Sequence, residues 1–193
     1  MDEGSMLNSF RRLRLRPPER YRVRVSYIFQ EFIKQVIEDG LGIRLSTQRY
    51  AQGTVFRHRA DLMYGAGERP LLYVETKVIF RPERVRPDHD KRMYQIALAS
   101  IDLKLNPSAT WVNSKRLPPC VAFALAIPSN TPQGDLKHVE DDMYKLLRYY
   151  LNACCLYIFD LDVGKRRDDL LRYDELTIDT FLNNIAKCVK PYL

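Results

Sequence analysis

The sequence predicts an α/β fold: a mixed β-sheet, made of an antiparallel meander followed by crossover-connected strands, flanked by helices. Three observations carry that expectation. Strand-like runs at 43–50, 57–64 and 71–80 follow one another closely, and Gly65-Ala66-Gly67-Glu68-Arg69-Pro70 supplies the turn between the second and third. The runs 120–127 (CVAFALAI) and, apart from Asp160, 154–161 (CCLYIFDL) are continuously apolar, as strands covered on both faces are. Amphipathic stretches of helical length separate these later strands, as a parallel crossover requires.

Taken in order, residues 10–24 carry Arg11, Arg12, Arg14, Arg16, Arg20, Arg22 and Arg24 against the single acid Glu19, with Pro17-Pro18 breaking any helix. Residues 1–19 are therefore expected to form a flexible basic arm, either solvated or lying along a phosphate backbone. Gly4-Ser5-Met6 resembles a cloning remnant, and residues 1–5 are set aside. Residues 20–193 read as a single domain, with no internal repeat. A helix over 20–39 follows from Val25, Ile28, Phe29, Phe32, Ile33, Val36 and Ile37, spaced three and four apart, and Gly40 ends it. Glu31 lies roughly opposite that stripe, which by spacing alone turns it to solvent. Residues 81–92 read as a basic loop. A helix over 89–105 should pack through Met93, Ile96, Ala97, Ser100 and Ile101, and a loop through Trp111 and Lys115-Arg116 leads to the first buried strand. A helix over 135–152 uses Val139, Met143, Leu146, Leu147 and Tyr150. A last helix, capped by Asp174, uses Leu176, Ile178, Phe181, Leu182 and Ile185.

Composition bounds the function. No apolar run approaches the ~18 residues of a membrane span, and no signal-peptide apolar region follows the N-terminal arginines. Cysteines at 120, 154, 155 and 188 form no CxxC pair, which argues against a structural zinc or iron–sulfur site and for a reducing, intracellular (cytoplasmic) setting. The net charge of +7, a pI near 9.3 and 21 arginines against 10 lysines suit a polyanionic partner or an ordinary basic surface.

One stretch carries chemistry. Asp61 sits on the second strand, and Glu75-Thr76-Lys77 on the third. Alternation puts Glu75 and Lys77 on one face of the strand and Val74, Thr76 and Val78 on the other. Charged groups in an apolar strand are costly to bury unless satisfied, and a hard divalent cation between Asp61 and Glu75 would satisfy them. In element order and in these residues, the chain over about 20–127 resembles the PD-(D/E)XK nuclease superfamily, with its restriction-endonuclease-like and archaeal Holliday-junction-resolvase-like members. Asp61 matches the first signature carboxylate, preceded by Ala60 rather than proline, and Glu75 and Lys77 match the ExK.

The resemblance implies a Mg²⁺-dependent endodeoxyribonuclease, with Mn²⁺ as a substitute. The metal would be held by Asp61, Glu75 and the main chain of Thr76, with Lys77 assisting the attacking water. It also makes Glu31 a candidate catalytic glutamate of the first helix and Gln95 a polar neighbour. DNA is the implied partner, with Arg81, Arg84, Arg86, Lys91, Arg92 and Gln95 as candidate contacts. A homodimer is implied by the need to cut two strands; the 139–159 region and the last helix are candidate interfaces. The alternative is a non-cleaving nucleic-acid-binding module on the same fold.

Other templates fit poorly. Asp160-Leu161-Asp162 after a strand resembles the first motif of haloacid-dehalogenase-type phosphatases, but only 29 residues follow Gly164. No phosphate loop, GxGxxG or GxSxG occurs. His58, His89 and His138 are too scattered along the chain to suggest a zinc site.

Overall fold

A computed structural model describes residues 1–14, 18–106, 111, 112, 115, 116 and 118–192, without the side chains of 18–23, 111, 112, 115, 116 and 192. The elements are α1 (Glu3–Arg14), α2 (Pro18–Leu41), β1 (Ser46–Gln52), β2 (Arg57–Ala66), β3 (Arg69–Val78), α3 (Val85–Leu105), β4 (Trp111–Val112), β5 (Lys115–Arg116), β6 (Cys120–Pro128), α4 (Gln133–Tyr149), β7 (Ala153–Asp160), β8 (Lys165–Arg166) and α5 (Ile178–Val189). A six-stranded sheet runs in the order β1-β2-β3-β6-β7-β8, and β4 and β5 form a separate pair. The pairs β1–β2, β2–β3 and β7–β8 are antiparallel, while β3–β6 and β6–β7 are parallel. This is the expected α/β mixed sheet: a meander, then strands joined through the crossovers α3 and α4.

The sheet divides two apolar cores. Val74, Val78, Ala122, Ala124, Cys155 and Tyr157 face α1, α2 and α5, whereas Tyr73, Ile79, Val121, Phe123, Cys154 and Leu156 face α3 and α4. The period-two alternation of β3 is therefore realised, and β6 is buried along its whole length. Among the described residues, no helix is long and apolar enough to cross a membrane.

Several expectations need correction. The N-terminal segment is no flexible arm over residues 3–14, which form α1, with Met6, Leu7, Phe10 and Leu13 buried on one face. Arginines expected to reach phosphate hold the protein together here. Arg11 donates to the carbonyls of Leu161 and Asp162, at 2.5 and 2.8 Å, and Arg14 donates to Asp162 Oδ1 at 2.9 Å. Glu3, among the residues set aside, accepts a 2.7 Å bond from the Tyr157 hydroxyl. Arg16, and the side chains of Arg20 and Arg22, lie outside the described residues, as does much of the loop expected around Trp111.

The basic loop 81–92 is a 3₁₀ turn, Pro82–Arg84, running into α3, which starts at Val85 and tolerates Pro87 in its first turn. The packed face of α3 is Val85, His89, Ile96, Ala99, Ser100 and Leu103; Ile101, expected inside, is exposed. Thr177, not Asp174, caps α5, its hydroxyl accepting from the Thr180 N–H. Of the candidate dimer surfaces, β7 is interior and the apolar face of α5 packs on the core, whereas Tyr149 and Tyr150 of the 139–159 region are exposed.

Candidate functional site

The β2–β3 ladder runs from Ala66↔Arg69 to Leu62↔Val74 and stops one residue short of Asp61 and Glu75. Where the strands part, the Asp61 carboxylate takes the place of a backbone partner: Oδ2 accepts from both the N–H and the hydroxyl of Thr76, at 2.9 and 3.0 Å. The N–H and C=O of one strand residue point to the same edge, so the Thr76 carbonyl opens into the same gap.

Two glutamines that the sequence did not single out complete the setting of Asp61. The buried Gln30 of α2 donates to the Asp61 main-chain carbonyl at 3.2 Å. Gln48 of β1 donates to Asp61 Oδ1 at 3.0 Å and to Gln30 Oε1 at 3.2 Å. Gln48 has a φ of 53°, the only non-glycine residue with positive φ among those described. That left-handed conformation is unfavourable for a branched-out side chain and is held here by its amide bonds. A polar stretch such as Ser46-Thr47-Gln48-Arg49 gives no sequence signal for it.

Glu75 lies half-buried on the opposite face of β3, with the Tyr73 hydroxyl donating to Oε2 at 3.3 Å. Burial, and then the charge of Asp61, push its carboxyl up to about 8 against the pull of Arg92, Tyr73 and Lys77. Lys77 is half-buried on the same face; burial and then Arg92 lower its pKa, while Asp88, Asp61 and Glu75 oppose that shift. Burial, with Glu75 and Asp61 nearby, keeps the Tyr73 phenol protonated. No ion pair joins Asp61, Glu75 or Lys77 to a described residue within 4.0 Å.

These carboxyl groups fit a hard cation. Their donors are all oxygen and they repel one another, and although Arg92 and Lys77 act on Glu75 through their charge, neither carboxyl group is ion-paired to a described residue within 4.0 Å.

The remaining predicted residues divide. Arg92 acts electrostatically on both Glu75 and Lys77 and donates to Gln95 Oε1 at 3.0 Å. Arg81 and Arg84 line a cleft of about 960 Å³ together with Lys77, Arg14, Ser129 and Asp88; it opens at the C-terminal ends of the parallel strands, where ligands commonly bind in α/β sheets. Arg84 is paired with Asp88 at 2.7 Å. Arg86 and Lys91 are exposed on α3 and are not among the main charges acting on Glu75 and Lys77. Glu31 is half-buried on α2, and no hydrogen bond or ion pair joins it to a described residue; its neighbour Gln30 is the one turned to Asp61.

The DxD segment is a turn cap. Asp160 Oδ1 accepts from the N–H groups of Asp162 and Val163 at 2.9 and 3.0 Å, and Arg167 lies 3.6 Å from Oδ2. His58 pairs with Asp102 at 2.7 Å. His89 and His138, far apart in sequence, come together with ring centroids 6.2 Å apart.

No protein family matches the chain, and neither the curated proteins nor the solved structures give a match.

Proposed function

We propose that this protein is a metal-dependent nuclease that hydrolyses DNA phosphodiester bonds, with a restriction-endonuclease-like core of the PD-(D/E)XK type. The observation that carries the reading is the lock between the Asp61 carboxylate and Thr76, the residue between Glu75 and Lys77, at the point where β2 and β3 separate. The order of α2, the β1–β3 meander, α3 and β6 beside β3 agrees with that core.

Asp61 and Glu75, with the Thr76 carbonyl, would hold Mg²⁺ or Mn²⁺. Such an ion lowers the pKa of bound water and neutralises charge on phosphate. Lys77 stands between these carboxylates and the basic cleft. Its ammonium can orient the attacking water and stabilise the charge that grows on the phosphoryl oxygens. Arg81 and Arg84 at the cleft, and Arg92 beside Glu75, suit contact with the neighbouring phosphates. Thr76 holds Asp61 in place through two bonds, and Gln30 and Gln48 restrain it from the other side.

A duplex is cut on both strands by two such sites, so the reading expects a homodimer in solution. Its interface must avoid β7 and the buried face of α5.

The test is incubation of the protein with supercoiled, linear, single-stranded and branched DNA in Mg²⁺, in Mn²⁺ and in chelator. Cutting of at least one substrate in metal, and none in chelator, is the expected result. Binding without cleavage in either metal would favour a non-cleaving nucleic-acid-binding module.

A further inference from the structure

Away from the Asp61–Glu75 gap, α3 and α4 bring two histidines and two aspartates together. His89 and Asp90 occupy the first turns of α3, and His138 and Asp142, four residues apart, share one face of α4. One ligand atom each from His89, Asp90 and Asp142 lies within 4.8 Å of the other two. His138 Nε2 is 2.9 Å from Asp90 Oδ1 and 3.5 Å from Asp142 Oδ2. His138 lies outside that group of three, but its Nε2 already borders both aspartates and can close the site as a fourth ligand.

A second observation is independent of the acids. His89 is completely buried, and neither of its ring nitrogens has a hydrogen-bond partner. Buried polar atoms are nearly always satisfied, and an imidazole with two orphaned nitrogens calls for a missing partner. In the tautomer that turns its lone pair to the cluster, one ring nitrogen of the neutral imidazole can bind a metal ion.

We infer that His89, Asp90, His138 and Asp142 form a divalent transition-metal site, best suited to Zn²⁺, that clamps α3 to α4. Two carboxylates balance the charge of the ion, and two imidazoles select against Mg²⁺ and Ca²⁺, which prefer oxygen alone. Four protein ligands make a closed, structural site. It is distinct in ligand type from the all-oxygen gap at Asp61 and Glu75. It also lies on the same helix turns that carry Asp88 and Arg92 toward Lys77, so the clamp fixes the approach of α3 to that gap. Sequence spacing hid the site because His138 lies 49 positions after His89, and only the packing of α3 on α4 joins them.

The test is titration of the chelator-stripped full chain with Co²⁺, followed in the visible d–d region, and then displacement by Zn²⁺. One equivalent of Co²⁺ should bind with tetrahedral absorption and without thiolate charge-transfer bands, and Zn²⁺ should displace it and raise the melting temperature. The signal should persist in an Asp61→Asn/Glu75→Gln double variant. It should weaken at least ~10-fold in His138→Ala and in Asp90→Asn, whose side chains reach solvent and whose loss leaves the core intact. His89→Leu should abolish it. Absence of Co²⁺ binding, or binding unchanged in both His138→Ala and Asp90→Asn, overturns the assignment. Loss of the signal in the Asp61→Asn/Glu75→Gln variant instead would place the ion in the other gap and overturn it equally.

Discussion

Asp61 is bonded by both the main-chain N–H and the hydroxyl of Thr76, so one carboxylate of β2 is tied to the residue that separates Glu75 from Lys77. The tie substitutes for the missing rung of the ladder. It fixes where the first carboxylate sits relative to the second, across a gap that the sheet itself leaves open.

Two repelling carboxyl groups with no ion pair to a described residue make metal binding and stability interdependent. Mg²⁺ should raise the melting temperature of the wild-type chain, and above its Kd the rise should continue with the logarithm of its concentration, since a ligand that binds only the folded state stabilises it. Asp61→Asn and Glu75→Gln should each remove most of that rise while melting within a few degrees of the metal-free wild type. Differential scanning fluorimetry with and without Mg²⁺ makes the comparison.

Gln48 separates strain from function. Gln48→Gly relieves the left-handed backbone but raises the entropy of the unfolded chain, so stability should change by no more than about 1 kcal/mol. The substitution also removes the amide that steadies Asp61 Oδ1. The expected outcome in urea melts and metal titrations is near-unchanged stability with weaker Mg²⁺ affinity.

Asp102 of α3 anchors the turn between β1 and β2. Its carboxylate accepts from the N–H groups of Val55 and Phe56, at 2.7 and 3.0 Å, and pairs with His58 at 2.7 Å, while its main-chain carbonyl accepts from Thr54. A side chain at Gly53 would collide with this carboxylate, which is why the turn needs glycine there. Burial alone would raise the Asp102 pKa, but the bonds from His58, Val55 and Phe56 outweigh it and bring it below the ordinary 3.8. Its stabilising effect is thus complete above 3.8 and is lost as pH falls through the lower folded-state value. Asp102→Ala should cost about 2–3 kcal/mol at neutral pH, because it leaves three donors without their acceptor. In urea denaturation, the gap between wild type and Asp102→Ala should narrow once the pH drops below 3.8.

The cleft arginines should act through charge. Arg81→Ala and Arg84→Ala should each weaken DNA binding across sequences and reduce the slope of log affinity against log salt by about one contact's worth. Arg86→Ala, exposed and outside the cleft, serves as the comparison. Fluorescence anisotropy over a salt series distinguishes them.

Much of this was legible in the chain. The alternation of 73–79 placed Glu75 and Lys77 on one face, and the apolar runs at 120–127 and 154–161 became the parallel centre of the sheet. The N-terminal helix was hidden by its arginines and by Pro17-Pro18, although Met6, Leu7, Phe10 and Leu13 already spell a helical stripe. The position of α3 was misread because Arg-Pro-Glu-Arg looks like a loop, and prolines are tolerated in a first turn. Gln30, Gln48 and the meeting of His89 with His138 depend on contacts between distant elements, which no local pattern encodes.

The proposed metal-dependent hydrolysis rests on Asp61, Glu75 and Lys77. It is tested most directly by single-turnover cleavage of a DNA substrate in saturating Mg²⁺ by wild type, Asp61→Asn, Glu75→Gln and Lys77→Ala, with DNA affinity measured alongside. The expected result is a loss of at least ~10²-fold in the cleavage rate of each variant, with DNA affinity largely retained. Cleavage at the wild-type rate by both Asp61→Asn and Lys77→Ala would contradict it.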